Sequence, residues 1–252
     1  MVDFIGVLIL FLLMHIICDF YLQPNRWVDA KQKGTYRSPE LYLHSLLHGL
    51  AILVAAIALG IDWRLTSYLV AIVVVSHFVI DLWKVTVSNG DQFAYFVIDQ
   101  ALHVSVLAVI AFYITEGVTI SAVLQHEKFS DGIMVVFGYL LILKPTSIVI
   151  GSVLRKYPIS GTEDNTSTNG LIAGGELIGY LERVLILTFT LLGSYAAVGF
   201  VLAAKSIFRF GDLNKSDDRS MTEYVLIGSL LSVVVTTMIG TLLSLGLDVV
   251  IK

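Results

Sequence analysis

The chain has 252 residues, 56% of them hydrophobic and only 14% charged, with a mean hydropathy of +0.84, which leaves too little polar surface for a soluble domain of this size. Its net charge of -4 provides no broad basic field for nucleic acid, and its single cysteine, Cys18, excludes an internal disulfide and any thiolate metal cluster. An all-α, polytopic integral membrane protein is implied, in which any metal is held by nitrogen and oxygen.

Taking about 20 residues as the length that crosses a bilayer, the first helix runs from residue 3 to 22 and stops at Pro24. It lacks a basic n-region and a small-residue cleavage site, so it reads as a retained helix rather than a signal peptide. A basic loop with Arg26, Lys31, Lys33 and Arg37 follows. Ser38 and Pro39 signal the start of a second helix, reaching about residue 60. The third helix covers residues 65 to 87 and ends at the turn sequence Ser88-Asn89-Gly90-Asp91; the fourth continues to about residue 115.

A polar loop, 116 to 131, contains His126 beside Glu127 and reads as solvated. The fifth segment, 132 to 154, carries Lys144-Pro145 near its middle, where proline kinks a helix and lysine must snorkel or find a carboxylate. Residues 156 to 169 form a polar loop rich in Gly, Ser, Thr and Asn. Residues 171 to 183 carry Glu176, Glu182 and Arg183, 184 to 204 are uncharged and long enough to span, and 224 to 250 make the last helix. About seven spans result: a four-helix bundle with a His/Asp metal site (1–115), a linker helix with the Lys144-Pro145 kink and a polar loop (116–169), and three C-terminal membrane helices (170–252).

Lysine and arginine in the short loops place the N-terminus outside and the first and third loops in the cytoplasm. The basic loop at 205 to 223 conflicts with seven single spans. Either residues 171 to 204 fold as a hairpin broken near Gly193-Ser194 or one segment is re-entrant.

Each of the first four helices carries two ionisable residues four apart: His15 and Asp19, His44 and His48, His77 and Asp81, Asp99 and His103. That spacing puts both side chains on one face of a helix. Counted from the membrane face that bears the first and third loops, Asp19, His44, Asp81 and Asp99 lie four to eight residues deep, and His15, His48, His77 and His103 lie eight to twelve. Two levels about 6 Å apart result. An up-down bundle whose helices each send ligands inward is a known way to build a metal site from side chains.

These eight residues are therefore the expected metal ligands. They suffice for two divalent ions, and the histidine-rich set favours zinc. Hydrogen-bonded cross-linking of helices is the competing reading, and haem ligation fits three aspartates less well. Asp81, Asp99 and Lys84 are the expected catalytic residues, with Lys84 orienting an anionic substrate. Gln23, Asn25 and Arg26 are expected at the mouth.

The stretches HIICDFYLQ at His15, HSLLH at His44, HFVIDLWK at His77 and DQALH at Asp99, with GYLERVLI, AAKSIFRF and EYVLIG in the second half, resemble a family of multipass bacterial membrane proteins classed as a domain of unknown function, numbered 3307. The resemblance implies a bacterial inner-membrane location and an inward-facing His and Asp set. A looser similarity is to the membrane-bound metal-dependent hydrolases.

The functional expectation is a membrane-embedded, metal-dependent hydrolase acting on a lipid or lipid-linked phosphoester, with its site toward the cytoplasmic side. The alternative is a non-enzymatic metal carrier, sensor or signalling protein. The expected partners are membrane lipid and no nucleic acid, with homo-oligomerisation left open.

Overall fold

The computed structural model describes residues 4–87, 92–117, 127–155, 166–213 and 219–247, apart from the side chains of 117, 127–129, 166–174, 208–213 and 219–223. The turn expected at Ser88–Asp91 and the solvated His126 lie outside the described residues. The described elements are all helical: α1 (Phe4–Ile16), α2 (Asn25–Gly34), α3 (Pro39–Ala58), α4 (Trp63–Thr86), α5 (Phe93–Gly117), α6 (Glu127–Ile142), α7 (Lys144–Leu154), α8 (Thr166–Leu191), α9 (Tyr195–Leu213) and α10 (Arg219–Gly246). Six segments among the described residues are long and apolar enough to cross a membrane. This is an all-α, polytopic integral membrane protein.

The chain divides into two compact units, residues 1–137 and 138–252. In the first, α1 packs on α3 and α5, and α4 packs on the same two helices, closing a four-helix bundle. Half of the bundle interior is apolar, with Val7, Leu10 and Phe11 of α1 meeting Ile52, Val73 and Leu107 of the other three helices. Leu46, Leu50, Tyr68, Val75, Val109 and Phe112 face outward. An apolar exterior is what lipid requires, and it frees the other half of the interior to hold polar side chains.

Local chemistry sets the helix starts. Pro39, which needs no intrahelical N–H partner in the first turn, opens α3, while the Ser38 hydroxyl turns to Glu40 Oε2 at 2.6 Å. Asp62 caps α4 by accepting from the backbone N–H of Arg64 and Leu65. Gly49 permits the close approach of α3 and α4: a Cβ there would stand 2.4 Å from Val74 Cγ2.

Two expectations change in this unit. The first helix ends as a π-helical turn, Ile17–Tyr21, which contains Asp19. The first loop is not merely a basic connection: residues 25–34 form α2, which packs on α3 and α4.

The segment expected as one span kinked at Lys144-Pro145 is a single apolar stretch, Ser130–Leu154, long enough to cross, and it is interrupted at Leu143 between α6 and α7. Pro145 has no N–H for the Leu141 carbonyl, and the Thr146 hydroxyl donates to that oxygen instead, at 2.8 Å. Lys144 is exposed. Residues 184–204 do not form a single span. The chain turns at 192–194, with Gly193 at φ +67, and α8 and α9 fold back as the hairpin alternative required. Across this hairpin Lys205 pairs with Glu182. Arg183 pairs with no carboxylate among the described residues and donates instead to Ser147 Oγ and Ser232 Oγ.

Candidate functional site

The polar half of the first unit's interior contains all eight residues singled out from the sequence. Seven of them, His15, His44, His48, His77, Asp81, Asp99 and His103, are buried, and Asp19 is nearly so. Four helices and the π turn deliver them.

The histidines of the deeper level form a contiguous set. His48 and His77 stack with ring centroids 3.6 Å apart, His77 and His103 lie 4.2 Å apart, and His15 stands 5.1 Å from His48 and 5.2 Å from His103. Like imidazoles are not brought together by attraction for one another. Their convergence in an apolar bundle calls for something they share.

Asp19 is the hub. Its Oδ1 accepts from His48 Nε2 at 2.9 Å and His44 Nε2 at 3.1 Å, and lies 3.8 Å from His77 Nε2. Its Oδ2 accepts from Gln100 Nε2 at 3.1 Å and lies 3.3 Å from His15 Nε2. A π turn widens the helix locally and recurs at functional positions. Here it carries the carboxylate that draws three helices together.

Asp81 and Asp99 have another kind of partner. Lys31 Nζ donates to Asp81 Oδ2 and Lys84 Nζ to Asp99 Oδ2, each at 2.6 Å. Gln100 Nε2 also donates to Asp99 Oδ2, at 3.2 Å, and so connects two of the three aspartates. Lys31 and Gln100 were not expected from the sequence. Lys31 enters because α2 folds over the bundle, and its side chain is only 7% exposed.

A cavity of about 290 Å³ lies at this level, lined by Asp19, Asp81, Asp99, Lys31, Lys84 and Gln23 among others. Asn25 and Arg26, expected at the mouth beside Gln23, are exposed and do not line it. The reason is geometric: α2 begins at Asn25, and its first turn points these side chains away while Lys31, further along, turns inward.

Several atoms show what the site could hold. His103 Nδ1 donates to the Asp99 backbone carbonyl at 2.9 Å, which fixes the tautomer and leaves the Nε2 lone pair facing inward. That nitrogen is buried without a hydrogen-bond partner among the described residues, and so are His77 Nε2 and Asp99 Oδ1. A buried acceptor without a donor is costly.

The ligand atoms fall into two groups, each with all atoms within 4.8 Å of one another: Asp19, His44, His48 and His77, and His77, Asp81 and His103. Tetrahedral zinc with ligands at 2.0–2.1 Å needs them about 3.4 Å apart, so side-chain shifts of about an ångström suffice. The residues therefore fit a divalent ion. His77 belongs to both groups, and its Nε2 lies 3.8 Å from Asp19 Oδ1 and 3.9 Å from Asp81 Oδ1. The first group offers a closed set of four, and the second a set of three with a position to spare. His15 and Asp99 belong to neither group.

The fold and this interior define a polytopic helical membrane protein with a buried histidine and aspartate centre in its N-terminal bundle. Residues 7–130 match the family described as "Protein of unknown function (DUF3307)", which the motifs of the first four helices led us to expect; GYLERVLI, AAKSIFRF and EYVLIG lie outside the match. The matched residues include all eight members of the centre together with Lys31, Lys84 and Gln100. No curated protein and no solved structure matches the chain, so the looser likeness to membrane-bound metal-dependent hydrolases gains no support there.

Proposed function

We propose that the protein is a membrane-embedded, metal-dependent hydrolase acting on a lipid or lipid-linked phosphoester in the bacterial inner membrane. The observation that carries this reading is the cavity of about 290 Å³ lined by three carboxylates, two ammonium groups, an amide and His44, whose Asp19 and Asp81 in turn reach His48 and His77 at the cavity's inner end. A structural cross-link of helices needs no such space. His44, His48 and His77 with Asp19, and His77 and His103 with Asp81, are the residues that would hold metal, with zinc favoured by the nitrogen-rich set.

When bound, a divalent ion supplies Lewis-acid activation of water and of a phosphoryl oxygen. The remaining work belongs to the chain. Asp99 Oδ1, buried and without a partner, is the acceptor for the proton of an attacking water. Lys84 Nζ, one bond from Asp99 Oδ2 and 28% exposed, faces the entering anion. Gln100 keeps Asp99 and Asp19 in register. The cytoplasmic side is favoured for the site by the exposed Arg26, Lys33 and Arg37, close to the cavity in sequence, against Arg64 alone at the other end of α3 and α4. The α8–α9 hairpin supports a cytoplasmic position for Lys205, since α9 runs back toward the end from which α8 starts.

A second reading, a metal carrier or sensor, is favoured by one observation. Asp81 and Asp99 are each neutralised by a lysine, so an ion arriving at them displaces a built-in cation, and charge moves without any chemistry. Lipid extracts incubated with the wild-type protein and with Asp81→Ala separate the two readings. A hydrolysed species formed by the wild type alone supports the hydrolase; stoichiometric metal with no lipid product supports the carrier or sensor.

A further inference from the structure

The cavity has a charge balance that constrains the order of events. Its lining sets three carboxylates, Asp19, Asp81 and Asp99, against two ammonium groups, Lys31 and Lys84. Carboxylates thus outnumber ammonium groups in the site without an ion and oppose an anion there, although the donors are suited to one. Lys31 Nζ and Lys84 Nζ each have three N–H groups, of which a carboxylate takes one. Gln23 Nε2 is buried against the same space with no partner. One divalent cation beside Asp81 reverses the sign of the lining and leaves these donors facing a net positive cavity. A volume near the lower end of the roughly 300–1,000 Å³ of small-molecule sites admits a headgroup rather than a whole lipid.

We propose that this cavity is an oxyanion subsite for a phosphoryl group, with Lys31, Lys84 and Gln23 as its donors, and that it accepts the anion in order, after a divalent cation has been taken up by the group containing Asp81. The inference rests on the metal-binding reading above and adds the ligand class, the donors and the sequence of binding. Lys31 has two roles here. It holds Asp81 while no ion is present, and it turns its remaining N–H groups to the phosphoryl oxygens once the ion neutralises that carboxylate. Because binding linkage is reciprocal, the anion must also tighten the cation.

The test is calorimetric titration of the purified full chain in detergent with zinc chloride, with and without inorganic phosphate, and in parallel with short-chain phosphatidate. Zinc should bind at least about tenfold more tightly when one of the two anions is present, within the 5–150-fold range of such couplings, and phosphate alone should give no binding heat. Coupling with inorganic phosphate marks a free phosphoryl group as the ligand, and coupling with phosphatidate alone marks a lipid headgroup. Lys31→Gln should take up zinc and lose the coupling, and Lys31→Arg should restore it. Lys84→Gln, at the more exposed pair, serves if Lys31→Gln fails to fold. Zinc binding that neither anion alters, or anion binding as tight without zinc as with it, overturns the ordered subsite and leaves the metal reading intact. A chain that binds no zinc, manganese or iron overturns both.

Discussion

Lys31 Nζ and Asp81 Oδ2 lie 2.6 Å apart inside the N-terminal unit, with side chains 7% and 8% exposed. They come from elements 50 residues apart in the chain, a short helix over the bundle and a helix of the bundle itself. A charge pair so enclosed is held by geometry, and removing one member strands the other. Lys31→Met should therefore lower stability by about 3–5 kcal/mol in the metal-free protein. Lys31→Met with Asp81→Asn should recover most of that loss. Thermal unfolding in detergent, followed by circular dichroism, checks both. Equal instability of the single and double variants would show that the pair is not the origin of the effect.

Asp99 stands apart from both ligand groups and keeps one oxygen without a partner. Asp99→Asn should leave metal content unchanged while lowering lipid hydrolysis by about 10²–10⁴-fold, the usual contribution of a positioned base. Elemental analysis and product formation are read on the same preparation. Loss of metal in this variant would move Asp99 into the ligand set.

Gly49, next to His48 and little more than a turn past His44, lets α3 and α4 touch. With a Cβ placed 2.4 Å from Val74 Cγ2, Gly49→Ala should cost about 1–3 kcal/mol through overpacking, and adding Val74→Ala should restore the unfolding temperature. A Gly49→Ala protein as stable as wild type would mean the two helices separate without penalty.

In the second unit, Thr146→Val removes the hydroxyl that replaces the N–H missing at Pro145. The Leu141 carbonyl then loses its donor, at a cost of about 1–3 kcal/mol, readable as a lower unfolding temperature with metal content unaltered.

How much of this could be read from the chain depends on the range of the signal. His15 with Asp19, His44 with His48, His77 with Asp81 and Asp99 with His103 were legible because four-residue spacing is a local property and because charge in an apolar helix is conspicuous. Their common depth followed from counting along alternating helices. Lys31 was not legible as part of the site, since α2 is a short polar helix whose inward turn depends on contacts with α3 and α4. Gln100 was missed for a similar reason: next to Asp99 in sequence, it acts by reaching Asp19, 81 residues away. The π turn at Ile17–Tyr21 has no simple sequence mark. Gly193 and Ser194 did signal a break, but the uncharged run around them also suited a single span, and only tertiary packing decides between the two.

The most direct measurement is the metal content of the wild-type chain, purified without chelator, beside His77→Ala, the variant that removes the residue common to both ligand groups. At least one divalent ion per wild-type chain is expected, with most of it lost in His77→Ala. Wild-type protein without stoichiometric metal, or a His77→Ala protein that retains it in full, would rule out a metal centre built on these histidines.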